Sequence, residues 1–150
     1  MSEIKLKIER IETVQVPPRW GLLRVLAAGG LEGFGEYTVE GQLDSAEALV
    51  REMAPRFVGQ DARDLKRLVR GWYDQAFYHG GAHFMSALGG IEIALWDVLG
   101  KALNQPVYNL LGGKVRDRVK VYRWAGGNNN PPEAAAEEAA RVVAEGARAI

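Results

Sequence analysis

Residues 86–113 read SALGGIEIALWDVLGKALNQPVYNLLGG, and the rest of the chain takes its meaning from them. Leu88, Ile91, Ile93, Ala94, Leu95, Trp96, Val98, Leu99, Ala102 and Leu103 cover the helical wheel almost all the way round. Such a pattern predicts a helix buried on most sides, a central packing element rather than a surface one. Asn104-Gln105-Pro106 stops it, since proline lacks an amide donor and disfavours helical geometry in the residue before it. A short turn, Val107 to Leu111, then ends at Gly112-Gly113.

Upstream, the pattern is that of a small sheet. Ile4, Leu6, Ile8 and Ile11 alternate with charged residues, the period of a half-buried strand, and Pro17-Pro18 ends it. Leu22 to Ala28 predicts a second strand, Gly29-Gly30 a hairpin turn, and Leu31 to Glu40 a third strand flattened or bulged by Gly33 and Gly35. Three sequential strands with short connections make an antiparallel meander. Helices follow. Asp44 to Glu47 has capping-box spacing, and Ala46, Leu49, Val50 and Met53 share a face that Pro55 ends or kinks. From Asp61, the residues Leu65, Leu68, Val69, Trp72, Tyr73, Ala76 and Phe77 recur at helical steps.

After Gly113 the pattern changes. Val119, Val121 and Tyr122 predict a short strand, and Gly126 to Asn130 a loop. Asn130 and Pro131 fit the N-cap and first position of an alanine-rich helix that Gly146 closes near Glu145. Strand, loop and helix open a parallel repeat that cannot bury its faces alone, so this end reads as truncated.

Composition narrows the function classes. The 47% hydrophobic and 25% charged content is that of a globular protein with one ordinary core. Nineteen basic residues balance nineteen acidic ones, and no basic stripe marks a nucleic-acid partner. There is no cysteine, which excludes disulfides and thiolate metal sites. The N-terminus has no apolar leader and no run reads as membrane-spanning, so the expected location is cytoplasmic.

The run from Met85 to Gly113, preceded by FYHGG and followed by VRDRVKVYRWAGG, resembles the mandelate racemase branch of the enolase superfamily. PPRW at 17–20, GFGEYTVEG at 33–41 and FVGQD at 57–61 make it most similar to acid-sugar dehydratases of the galactonate dehydratase type. The resemblance implies an α+β capping domain, a three-stranded antiparallel meander plus helices over residues 1–113, followed at 114–150 by the first βα unit of a TIM-type barrel. It implies a magnesium-dependent lyase that gives a 2-keto-3-deoxy acid from a small-molecule sugar acid, in a homo-oligomer. The magnesium ligands and the acid/base groups are expected beyond residue 150, so no catalytic or metal-binding residue is assigned in this chain. Two alternatives stand beside this reading: a non-catalytic cap or assembly module, and a racemase or cycloisomerase of the same superfamily.

Four residues are candidates for substrate binding. Arg19 offers a cationic fork and Trp20 an indole that can close a pocket, and the resemblance places their loop over the barrel mouth. Tyr37 and Glu40, at the expected end of the third strand, offer groups for substrate hydroxyls; the plainer alternative is a strand-end pair in solvent. Trp124 and the loop after it are expected to border the pocket. His79 and His83 have a chelating spacing, but Gly80-Gly81 between them argues against a helix and for loop packing. Gly33-Phe34-Gly35 lies inside a strand and is no dinucleotide fingerprint. Asp97 and Lys101 read as a structural i,i+4 pair.

Overall fold

In a computed structural model the described residues are 6–127 and 130–150. The expected strand position Ile4 and the loop residues Asn128 and Asn129 lie outside them. The chain divides into two units, residues 1–113 and 114–150.

The first unit opens with a meander, β1 (Ile8–Val16), β2 (Trp20–Ala27) and β3 (Leu31–Glu36), antiparallel in the order β1-β2-β3. Thr13 pairs with Leu23, and Val25 with Gly33. The helices α1 (Leu43–Phe57) and α3 (Ala82–Ala102) pack on this sheet, α2 (Leu65–Gln75) packs on α3, and α4 (Val107–Leu110) follows α3. Leu23 and Val25 from β2, Val50, Met53 and Phe57 from α1, Leu65 from α2, and Leu88, Ile91, Leu95 and Val98 from α3 form one buried cluster.

Helix α3 is the centre of that cluster. Its burial covers a broad face rather than the whole circumference, because Ile93 is 53% exposed. At 21 residues it has the length and mean hydropathy of a membrane span, so the expectation that no run has that character is corrected. Eight of its residues are buried inside the unit, which is how the core helix of a globular domain also reads. Leu95→Ala is expected to cost about 2–5 kcal/mol in urea unfolding, as deleting a fully buried leucine does. A loss below about 1 kcal/mol would remove α3 from the centre of the core.

Glycines set how closely the sheet meets α3. A Cβ on Gly33 would fall on the backbone carbonyl of Ala94, and one on Gly35 on that of Gly90. They therefore allow backbone-to-backbone approach of β3 and α3 instead of making a bulge, and the β2–β3 register runs through both without a break. Asp97 and Lys101 then complete the free edge of β3. The Phe34 N–H donates to Asp97 Oδ2 (3.0 Å), while Lys101 Nζ donates to the Glu32 carbonyl (2.7 Å) and to Asp97 (2.8 Å). An edge strand that would otherwise present unpaired backbone groups is thus partly closed by side chains of α3.

Several boundaries differ from the sequence expectation. Strand β3 ends at Glu36 instead of Glu40, and Tyr37 turns into the core. Helix α1 begins after Gln42 without a capping side chain, because Asp44 and Glu47 accept hydrogen bonds from β1 instead. Pro55 lies within the last turns of α1 without ending it. Helix α2 stops at Gln75, so Phe77 leaves the apolar stripe and stands 89% exposed.

In the second unit α5 (Pro132–Ala144) is capped by Pro131 rather than by Asn130, and Gly146 follows it at φ 97°. No strand forms over 119–122 among the described residues. Val119, Val121 and Tyr122 are exposed there. The Arg123 N–H donates to the Ala149 carbonyl (3.0 Å), and a strand needs a continuous ladder, not one such bond.

Candidate functional site

Beyond its last ladder pair, the meander continues as a clasp between two loops. The Tyr37 N–H donates to the Gly21 carbonyl (2.8 Å), and the Gly21 N–H to Thr38 Oγ1 (3.0 Å). These bonds hold the Pro17–Trp20 connection against the segment leading into α1. A cleft of about 440 Å³ opens between them, lined by Gln15, Pro18, Arg19, and residues 41–45.

Of the four candidate residues, Arg19 lines this cleft, and it brings Trp20 and Glu40 to the cleft's edge through its own contacts. Arg19 Nη1 donates to Glu40 Oε1 (2.9 Å), and the same guanidinium lies 4.6 Å from the centre of the Trp20 ring. Both partners of the ion pair are solvent-exposed, so it adds little stability, about 0–1 kcal/mol at most. Its consequence is directional: the fork is held over the cleft by a carboxylate on one side and an indole on another.

Tyr37 is placed elsewhere. It is fully buried beneath the cleft, so the alternative of a strand-end pair in solvent fails for this residue; Glu40 is the exposed one. Its hydroxyl has no hydrogen-bond partner, and burial, with the nearby Glu47 carboxylate, pushes it up to about 12. It is therefore a neutral phenol at physiological pH. A Cβ on Gly21 would collide with its ring and with Leu43, so the clasp requires glycine there.

A polar cluster that the sequence reading did not single out forms one wall. Gln15 Nε2 donates to Asp44 Oδ1 (2.8 Å) and to Glu47 Oε2 (2.6 Å). Glu47 Oε1 also accepts from the Thr13 hydroxyl (2.7 Å) and from Arg51 (2.6 Å). The signal was present in the alternation: Thr13 and Gln15 continue the phase of inward-facing Ile11, where an apolar side chain would be expected.

The Thr13 hydroxyl, followed by the Gln15 amide and the Arg51 charge, holds Glu47 below its ordinary value of 4.5. The folded state thus binds this proton more weakly than the unfolded chain. The resulting stabilisation is complete above 4.5 and is lost as the pH falls through the lowered folded value. Thr13→Val is expected to make the melting temperature fall less steeply on the acid side. An unchanged acid limb would mean that the Thr13 bond does not bias Glu47.

The remaining candidates lie away from this cleft or have structural partners. His79 Nδ1 pairs with the Ala76 carbonyl (3.0 Å) and its ring packs on Tyr73 at 4.7 Å. In the second unit Trp124 is exposed, and the Gly126 N–H donates to Glu138 (3.0 Å). Among the described residues no three histidine or acidic side chains converge as metal ligands. The acids beside the cleft are already engaged, Glu40 by Arg19 and Asp44 and Glu47 by Gln15. These residues do not fit a magnesium site.

A three-stranded meander covered by α1 and a long α3, with α2 packed on α3, is the N-terminal capping domain of the enolase superfamily. Residues 10–112 match the family model described as mandelate racemase / muconate lactonizing enzyme, N-terminal domain, and the chain belongs to that family. Two curated relatives are D-galactonate dehydratases, from Verminephrobacter eiseniae at 49% identity and from Xanthomonas campestris pv. campestris at 50%. Each alignment covers 82% of this chain and 32% of the relative, so the chain spans about a third of their length.

Among solved structures, an enolase superfamily member from Salmonella Typhimurium superposes with a TM-score of 0.83 at 26% identity, over 95% of this chain and 41% of that one. An enolase from Pantoea ananatis, solved with bound D-gluconate and magnesium, gives 0.82 at 27%, over 95% of this chain and 35% of that one.

Proposed function

We propose that this chain is the capping portion of an acid-sugar dehydratase, a hydro-lyase acting on a galactonate-like acid, and that residues 114–150 begin its barrel. Arg19 on the cleft, held by Glu40 and Trp20, carries the reading. The D-galactonate dehydratase relatives and the gluconate-bound neighbour support the substrate class.

In this reaction the proton on the carbon beside the carboxylate leaves to a base, and the hydroxyl on the next carbon departs as water. The enol so formed becomes a 2-keto-3-deoxy acid by taking up a proton. A carbanion beside a carboxylate needs positive charge to form, which magnesium held by residues outside 1–150 would supply.

The part played by this chain is closure and grip. Trp20 walls the site from water. The Arg19 fork donates hydrogen bonds to oxygen atoms of the acid, and Glu40 keeps the fork from collapsing onto the surface. Tyr37, buried with its hydroxyl unpaired, supports this roof from below. The assembly is proposed to be a soluble, cytoplasmic homo-oligomer.

The test is to assay a protein of the relatives' length carrying this segment against a panel of hexonic and pentonic acids, following 2-keto-3-deoxy product. Product from at least one acid is expected. No product with any acid, from a folded protein supplied with magnesium, overturns the reading.

A further inference from the structure

The geometry points to Gln15 as a specificity-determining residue: its carbonyl oxygen is a fixed acceptor for a hydroxyl on the chain of the sugar acid. This rests on the proposed dehydratase reading and deepens it.

A primary amide has two N–H hydrogens and one carbonyl oxygen. Both donors on Gln15 are used inside the protein, one on Asp44 and one on Glu47. Turning the amide over would set its oxygen against two carboxylates, so the orientation is fixed by charge. The two acceptors are themselves held: Asp44 stands in the first turn of α1, and Glu47 is fastened by Thr13 and Arg51. Gln15 lines the cleft, and its oxygen has no protein partner among the described residues. It is an acceptor oriented before any ligand arrives, and that lowers the ordering cost of binding.

The pairing of this acceptor with Arg19 on the same cleft selects the ligand group. A hydroxyl accepts from the guanidinium and donates to the amide oxygen, satisfying both. A carboxylate satisfies only Arg19, and it would meet the amide oxygen and the negative Asp44 beside it. The cleft therefore suits the hydroxylated part of the acid, with the carboxylate directed elsewhere. Gln15 is exposed in the free chain, so the rejection arises when the bound acid displaces water from the cleft: an analogue lacking the hydroxyl then leaves the amide oxygen unpaired.

The experiment uses the same protein of the relatives' length, its best acid, and analogues of that acid lacking single hydroxyls beyond the reacting carbons. The parent is expected to favour the parent acid over one analogue in kcat/KM by at least about tenfold. Gln15→Met, similar in size but without the amide, is expected to bring that ratio near unity by lowering turnover of the parent acid while leaving the analogue within about twofold. Gln15→Asn, which withdraws the amide by one methylene, serves as a second variant and should reduce the same ratio. A merely structural glutamine would lower both substrates together. Retention of the parent's preference in either folded variant, or equal losses on both substrates, overturns the inference and leaves the dehydratase reading intact. A parent inactive on every acid overturns both.

Discussion

Gly35→Ala is expected to destabilise the first unit by about 3 kcal/mol or more, the upper range for overpacking, because the added methyl falls on the Gly90 carbonyl of α3. A backbone oxygen cannot rotate away as a side chain can. The strand must lift from the helix, taking with it the contacts that bury Leu23, Val25, Ile91 and Leu95. A total stability of about 5–15 kcal/mol leaves little reserve against such a loss. Gly33→Ala should behave alike, since its methyl would meet the Ala94 carbonyl. Gly89→Ala is the matched control. It sits in the middle of α3 with nothing near the position of its Cβ, so it should gain about 0.5–1 kcal/mol from helix propensity alone. Urea unfolding followed by circular dichroism reads all three. A Gly35→Ala midpoint equal to that of the parent would disprove the close approach of β3 to α3.

Arg19→Ala carries the largest expected effect on activity. The ion pair with Glu40 is exposed and contributes little to folding, so the melting temperature should stay nearly unchanged. In a protein of the relatives' length, kcat/KM on the best acid should fall at least about tenfold, equivalent to about 1.4 kcal/mol of transition-state binding. Arg19→Lys keeps the charge but loses the planar fork and should recover only part of the loss. Unaltered kinetics in Arg19→Ala would return the residue to an ordinary surface role.

What could be read from the sequence depended on whether a residue's role is local. The helical period around Leu95 and the two-residue period of the meander are properties of adjacent residues, and both elements form as expected. The Gly33 and Gly35 pair looked like a bulge because the reason for a missing Cβ lies at Ala94 and Gly90, far along the chain in α3, which no local pattern contains. Tyr37 was misplaced for another reason. Gly33, Gly35 and Tyr37 share one phase of the strand, and that phase faces the core, but two glycines carry no hydropathy to reveal it. Phe77 continued the apolar spacing of α2, whereas the helix had already ended at Gln75.

The site was legible to a similar degree. Arg19, Trp20 and Glu40 stood out by chemistry, and the clasp through Gly21 brings them together. Gln15 did not, because its place in the phase of Ile11 marks only a polar residue where an apolar one is expected, and its partners Asp44 and Glu47 lie in another element. The 119–122 segment has strand composition, but composition cannot supply the neighbouring strand that a ladder needs.

On the proposed function, this chain closes over a sugar acid without carrying the groups that remove its α-proton. The most direct measurement is to incubate the purified 150-residue chain with magnesium and the panel of sugar acids in heavy water and to follow the α-proton signal by NMR. The signal is expected to persist at the rate of the protein-free control, since no metal-binding cluster is formed among the described residues. Protein-dependent loss of the signal, abolished by a chelator, would contradict it.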